Sequence, residues 1–370
     1  MELYEKIHVE TKFLDTDHGR IPCHECHGGD PDDADWQTAH KGITKDPTLS
    51  DPQTACGDCH AEIAAIAPYS LHYTLAPMQA TIEARASADR KEAMQIVRQA
   101  FNRHCGQCHA SCGQCHISRP AYAKGGFLAG HQFKKPSMET VCASCHGGRV
   151  FGEFTGAKAD YQADIHFSKG QMKCTQCHTA AEFHTDDRQV SHRFKVKSGP
   201  RCRNCHSKSL SANGDNRFHL QHAENLACQV CHAQANKNCF DCHVGMDKKG
   251  LPYFKCQETR MVFKIGRNPL KSADRPYDYV VVRHAPVTPT LFDSYVKDAL
   301  NKIDALPTWK LDAPHSILRC TPQNKSCNAC HGHVDLFLGE DDMAPWERKA
   351  NSKVIVSKIN IPKPVKEELR

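Results

Sequence analysis

The chain has 370 residues, 39% of them hydrophobic, and 22 of its residues are cysteines. With the cysteines set aside, roughly a third of the chain is apolar, which is thin for a conventional core of this length. The formal charge of +6 is carried by scattered Lys and Arg with no basic stripe, which argues against nucleic acid as a partner, and no run approaches the roughly eighteen apolar residues of a membrane helix, which argues against a direct membrane span.

In chain order, residues 1–22 lack the apolar stretch of an export signal. The first of ten CxxCH units then begins. Its cysteine pairs recur as Cys23/Cys26, Cys56/Cys59, Cys105/Cys108, Cys112/Cys115, Cys142/Cys145, Cys174/Cys177, Cys202/Cys205, Cys228/Cys231, Cys239/Cys242 and Cys327/Cys330. The histidines that follow are His27, His60, His109, His116, His146, His178, His206, His232, His243 and His331. Spacings near thirty residues dominate, the scale of a linear array, and two intervals are compressed, at Cys105/Cys112 and Cys228/Cys239. Between the second and third units, the composition of 80–103 predicts a helix with Met94, Val97 and Phe101 on one face. Gly28-Gly29, Gly125-Gly126, Gly147-Gly148 and Gly199-Pro200 mark loops. Residues 244–326 carry no motif and predict a covering belt, with Tyr277 and Tyr279 to Val282 as strand and Leu291, Tyr295, Ala299 and Ile303 at helical spacing. The alternation from Lys353 to Ile361 predicts a C-terminal strand that either closes back on its own chain or adds to a neighbouring subunit. The domain reading is a motif-dense region over 1–250 with nine units, a covering segment over 251–315, the tenth unit over 316–340 and a tail over 341–370.

Spaced CxxC units also build zinc ribbons, but zinc is indifferent to the residue after the second cysteine. With histidine at 25 of 370 positions, ten such histidines by accident have a likelihood on the order of 10⁻¹². A thioredoxin-type CxxC would occur once or twice, at a helix start. CxxCH is the attachment signal for c-type haem: the thiols become thioethers and the histidine is carried under the iron as the proximal ligand. Ten covalently attached haem c groups are therefore expected, and they supply the missing apolar surface. The expected fold class is mostly irregular with short α-helices and little β, a haem-cored multihaem cytochrome c array whose folding depends on its cofactor. Twenty propionates against ten ferric porphyrins turn the +6 into about −4 oxidised and about −14 reduced.

Fifteen histidines lie outside the ten proximal positions, enough to cap every iron a second time. Bis-histidine iron is low-spin and closed to substrate, which favours electron transfer. The preferred distal ligands are His18, His40, His72, His131, His166, His184, His192, His219, His222 and His315. His8, His104 and His284 are reserves, whereas His24 and His333 are read as supporting or exposed. Met78, Met138, Met172 and Met246 are further candidates, methionine being more often packing. Cys256 and Cys320 stand outside every motif, either as a disulfide bracing the motif-poor belt or as buried free thiols.

The CHASCGQCH run ending at His116, the CHGG at Cys26 and Cys145, and CQVCH at Cys228 followed by CFDCH at Cys239 resemble multihaem c-type cytochromes of anaerobic bacteria and archaea. The resemblance covers the chain well to about His243. It implies haem attachment outside the cytoplasmic membrane, hence a periplasmic or extracellular protein whose export signal is not in this sequence. It also implies haems in stacked and T-shaped pairs that relay electrons between redox protein partners, with homo-oligomers or filaments in some members. The expected function is a decahaem electron carrier. Two alternatives stand beside it. One is a multihaem oxidoreductase of small nitrogen or sulfur compounds with one open haem, for which Arg283, His284, Tyr277 and Tyr279 are the pocket candidates. The other is a subunit of a conductive cytochrome filament. No CxxCK unit of the enzymatic type occurs.

Overall fold

The computed structural model describes residues 9–86, 90–106, 110–120, 123–157, 161–184, 192–210, 216–239, 242–256 and 260–366. Helix accounts for 44% and strand for 10%, as many short helices and small antiparallel sheets in a mostly irregular chain. Contacts divide it into two units: one of Met1–Gln79, Cys105–Gly147 and Lys173–Gly199, the other of Ala80–His104, Gly148–Met172 and Pro200–Arg370.

Apart from the kinked helix Pro52–Ile66, the first unit is built from helices of one or two turns. Isolated helices this short do not hold themselves, and side-chain caps start several of the unit's helices. Asp35, Asp46, Asp51, Ser70, Ser111 and Ser137 each accept a backbone N–H of the following turn. Pro47 and Pro52 stand at the first helical position, where no donor is lost. After the first motif, Gly28 and Gly29 take φ of 74° and 94°, and a Cβ on Gly29 would lie 2.6 Å from the Ala39 carbonyl oxygen. Only glycine fits that turn. Among the described residues of this unit, the buried apolar side chains are Phe13, Ala64, Ile117, Met138, Val141 and Val196.

The second unit carries the strands: β1 Asn236–Lys237, β2 Cys242–Met246, β3 Pro252–Cys256, β4 Met261–Val262, β5 Lys264–Arg267, β6 Tyr279–His284 and β7 Trp309–Leu311. β2 and β3 form a hairpin, β1 pairs with β4, and β5–β6–β7 is an antiparallel sheet with Lys264 opposite Val282 and His284 opposite Trp309. Val280, Val281 and Val282 are all buried, as β-branched residues covered on both faces would be. A second apolar cluster joins Val97 and Ala100 to Val244, Phe292, Ala299 and Leu300, with Met94, Leu291 and Tyr295 packed against it.

Four expectations are corrected. The helix foreseen over 80–103 is two, Ala76–Glu83 and Lys91–His104. The chain turns at Arg85, whose buried guanidinium donates to the carbonyls of Thr81, Ile303 and Leu306. The periodic segment from Leu291 is a series of turns ending in a 3₁₀ turn at Ile303–Ala305. Asp298, at φ 54°, takes the left-handed conformation that stops a helix. The tail forms no strand among its described residues. Val354 O accepts from Arg267 N and Val356 N donates to Leu338 O, so the tail does close on its own chain, but its bonds go to two different segments and make no ladder. Cys256 and Cys320 are exposed free thiols rather than a disulfide or buried. Cys256 instead sits across the hairpin from Cys242, sulfur to sulfur 3.7 Å.

A charge cluster stabilises the second unit. Asp312, with no exposed side-chain surface, receives both hydrogen bonds of Arg149 at 2.8 and 2.9 Å and lies 3.5 Å from Arg283 Nε. Arg149 Nε is also 2.8 Å from Glu153, whose other oxygen accepts from His315 N. Burial pushes the Glu153 carboxyl up, against the pull of Arg149. Asp312→Ala takes from the nearly buried Arg283 the carboxylate it faces and leaves Arg149 to Glu153, and is expected to cost about 3–5 kcal/mol in chemical denaturation of the purified protein.

Candidate functional site

Most of the described CxxCH units sit on helical turns. Helices Cys23–His27, Cys112–His116 and Cys228–His232 contain whole motifs, and Cys174–Cys177 and Cys202–Cys205 end just before the histidine. The second motif lies in Pro52–Ile66, which kinks at His60 (φ −115°, ψ 42°). The fifth runs from a π-helical turn, Met138–Cys142, into Ala143–His146. The tenth begins on the 3₁₀ turn Cys327–Ala329. In the third, Cys105 follows the helix Lys91–His104, and Cys108 and His109 lie outside the described residues. The ninth is different: Cys239 N donates to His284 O, and Cys242 and His243 enter β2.

The motif thiols differ in exposure. Cys59, the second thiol of the second motif, is exposed, as are Cys23, Cys177, Cys202 and Cys205, whereas Cys26, Cys56, Cys115, Cys145 and Cys330 are half-buried. The reason at Cys59 is the face of its helix. Pro52–Ile66 turns Gly57 and Ala64 inward and leaves Asp58, Cys59 and His60 outward, so polypeptide packing reaches the Cys56 side of the motif and not the Cys59 side.

Seven motif histidines each face a histidine from outside the motifs. In the first unit the pairs are His60 with His18, His27 with His131, His146 with His72, and His116 with His184, with ring centroids 6.1, 5.8, 6.3 and 6.3 Å apart. In the second they are His206 with His166, His232 with His219, and His331 with His222, at 5.9, 6.2 and 6.2 Å. Such separations lie at the long end of the range for ring–ring pairs and also fit a bridging metal. A metal–imidazole bond is about 2.0 Å and the ring centre lies about 1.1 Å beyond the nitrogen, so two imidazoles on opposite sides of one ion stand about 6.3 Å apart. His18/His60 and His116/His184 are near parallel, at 17° and 24°, and the other pairs are tilted by 59° to 81°.

Hydrogen bonds at the far nitrogen orient these rings. His27 Nδ1 is 2.7 Å from Thr44 O, His116 Nδ1 2.9 Å from Lys134 O, His222 Nδ1 2.9 Å from Phe218 O, His232 Nδ1 3.0 Å from Leu318 O and His331 Nδ1 3.2 Å from Lys363 O. A carbonyl accepts, so Nδ1 carries the proton and the Nε2 lone pair is left for a metal. His166 and His178 make the same bond to carboxylates, Asp164 and Glu182. Burial, aided by the facing His60, His27 or His116, holds His18, His131 and His184 below the ordinary imidazole value, which favours the neutral form that a metal needs.

Three further expected ligands, His40, His192 and His315, have contacts of other kinds. His40 is exposed with Nδ1 on Trp36 O. His192 Nδ1 accepts Phe194 N–H at 3.3 Å, which places the proton on the opposite nitrogen from the paired rings. His315 lies beside Glu153. Of the reserves, His8 is outside the described residues, whereas His104 Nε2 is bonded to the Tyr295 hydroxyl at 2.6 Å and His284 Nε2 to Glu347 at 2.7 Å. His24 and His333 stand near Glu25 and Asp335. The pocket candidates are engaged with the protein: Arg283 with Asp312, His284 with Glu347 and stacked on Trp309, Tyr277 under the Arg203 guanidinium, and Tyr279 in β6. Sequence reading did not single out Asp164 or Glu182. Their only signal was position, two before His166 and four after His178.

The cysteines show which motifs are neighbours. Cys142 is hydrogen-bonded to Cys174 and Cys202 to Cys228. Burial pushes Cys56, Cys115 and Cys231 each up to about 11, with Cys112 and Cys26 beside Cys56, Cys142 beside Cys115, and Cys330 beside Cys231 adding to the shift. In the first unit the described contacts thus join motifs one, two, four, five and six. In the second they join seven, eight and ten.

Among the described residues no group of three or more His, Cys, Asp or Glu converges on one point as a metal-ligand set, and no helix is long and apolar enough to cross a membrane. Compared with protein families, with curated proteins and with solved structures, the chain matches none.

Glu347 ties the rival pocket down. Burial alone would raise its carboxyl, but hydrogen bonds from His284, Thr308 and Ala344 N–H outweigh that and hold it below the ordinary 4.5. A depressed carboxylate contributes stability that is present above pH 4.5 and is lost as pH falls through the folded-state value. Glu347→Gln is expected to remove that acid-side slope from the denaturation free energy, and Glu347→Ala to cost about 2–3 kcal/mol at neutral pH, both read from denaturant melts across pH.

Proposed function

We propose that this chain is a decahaem c-type cytochrome that relays single electrons between redox protein partners in the periplasm or outside the cell. One observation carries the reading: each of seven CxxCH histidines faces a second imidazole at the span that one six-coordinate iron requires. The CxxCH turn supports it from the other side, because two thiols and an imidazole brought together on one turn match the two vinyl groups and the proximal face of a single porphyrin.

Bound haem supplies a one-electron couple, and closely spaced copies pass electrons between them. The chain's own residues do the rest. The cysteine pairs would hold each ring covalently. His18, His131, His72, His184, His166, His219 and His222 would close the face opposite the motif histidine, leaving no position for a substrate. Carbonyls such as Thr44 O and Lys134 O fix the imidazole planes, so that little rearranges when charge changes. Adjacent cysteines, Cys142 with Cys174 and Cys202 with Cys228, bring the attachment edges of neighbouring sites together, which is the arrangement a relay needs. The sparse apolar core of the first unit also supports a fold whose core is completed by its cofactors.

Intact mass of the purified protein should exceed the polypeptide by ten covalent haems, and its ferric EPR should be low-spin in two classes, set by the near-parallel and the tilted ligand pairs. Replacing one distal ligand, as in His131→Ala, should convert about a tenth of the haem to high spin at unchanged haem count. Fewer than eight haems would refute the reading. A strong high-spin signal in the unmutated protein, with turnover of nitrite, hydroxylamine or tetrathionate, would replace the carrier with an enzyme.

A further inference from the structure

Five axial imidazoles of the proposed centres, His27, His116, His222, His232 and His331, give their Nδ1 proton to a neutral backbone carbonyl. Two motif-associated imidazoles differ. His178, the proximal histidine of the sixth motif, has Nδ1 2.8 Å from Glu182 Oε2. His166, which faces the seventh-motif His206, has Nδ1 2.8 Å from Asp164 Oδ1.

Both carboxylates are held in place. Asp164 is 2% exposed. Its Oδ1 also accepts His166 N at 2.8 Å and its Oδ2 accepts Ile317 N at 2.7 Å, so two backbone donors from separate segments fix the carboxylate that meets the ring. Glu182 is half-buried on the turn Ala180–Phe183 that follows the sixth motif, one helical turn beyond His178.

We propose that Glu182 and Asp164 are positioning residues that set the sixth and seventh centres to lower reduction potentials than the centres whose imidazoles are oriented by carbonyls. This rests on the haem reading above. A carboxylate draws the Nδ1 proton toward itself, which makes the imidazole a stronger donor through Nε2. A stronger donor and a nearby negative charge both stabilise ferric over ferrous iron, so the potential falls. The step is uptake of one electron from a donor redox protein, ferric to ferrous; no ligand bond forms or breaks, and the proton stays between ring and carboxylate. Centres oriented by carbonyls lack this bias.

The test uses the whole haem-loaded protein carrying Glu182→Gln or Asp164→Asn, each of which keeps an acceptor oxygen and removes the charge. In a spectroelectrochemical titration each variant should move about a tenth of the haem absorbance to higher potential. The reduction equilibrium of that centre should change by about tenfold, or about 59 mV for one electron. The haem count should stay at ten and the low-spin EPR signal of one centre should shift. Glu139→Gln is the control, because Glu139 lies near Cys142 but bonds the Ser137 hydroxyl rather than an imidazole. Unchanged potentials in variants that hold ten haems would overturn the proposal, as would an equal shift in Glu139→Gln. If Asp164→Asn does not fold, Glu182→Gln decides alone. A short haem count in the unmutated protein would instead refute the underlying reading.

Discussion

Two imidazoles about 6 Å apart do not hold each other there. At that separation rings attract each other only weakly, and the rings on each side come from segments that are often far apart in the chain, as with His27 and His131 or His222 and His331. The backbone must therefore place them one at a time. His27 is turned by the helix Cys23–His27 and tied to Thr44, and His222 is set by a one-and-a-half-turn helix capped at Asn216 and tied to Phe218. The requirement to present a ring at a fixed point, again and again, explains why the chain is cut into short capped turns rather than long helices. A long helix buries a stripe against another helix, whereas a single turn can aim one side chain and stop.

That division of labour leaves the polypeptide short of its own core. The second unit still packs conventionally where no motif competes, around Val280, Val281, Val282 and Ile265 and around Phe292 and Leu300. The first unit has a handful of buried apolar side chains and many exposed ones, Trp36 among them at 69%. In the proposed reading the porphyrins supply the difference, so stability and cofactor loading are one equilibrium. The outward thiol of Cys59 belongs to the same shortage, since the chain around it has little apolar surface to lay over the motif. The buried ion cluster at Asp312 and the Glu347 network belong to the part of the chain that folds on its own chemistry.

Much of the candidate site was legible because histidines outside the motifs are in surplus, fifteen against ten within them. His18, His72, His131, His166, His184, His219 and His222 could each be named from sequence, but not assigned, since reach along the chain says little about reach in space. His219 and His222 show why. They are three residues apart on one helix and serve two motifs, the eighth and the tenth, nearly a hundred residues apart. Period failed in a different way over 291–303. Leu291 and Tyr295 do pack on the apolar cluster, yet through turns, because burial selects which residues are apolar and not which hydrogen bonds connect them. Cys256 was unreadable as well: its place opposite Cys242 follows from the register of a hairpin that only the fold defines.

The compressed motif at Cys112 separates sequence order from spatial order most clearly. Its distance from Cys105 is fixed by seven residues, which the chain cannot avoid, but the described contacts of Cys112 run to Cys56. The reason is local: Ser111 Oγ bonds Asp46, and Gly113 N bonds Thr48 Oγ1, so the fourth motif is sewn to the turn that precedes the second. A Cβ at Gly113 would meet that same Thr48 hydroxyl at 3.0 Å, which is why glycine stands inside this CxxCH. If electrons follow contact rather than sequence, the order among the described motifs of the first unit is one, two, four, five, six. The route through such a molecule is thus written in capping hydroxyls and carboxylates such as Thr48 and Asp46, residues that no cofactor motif contains.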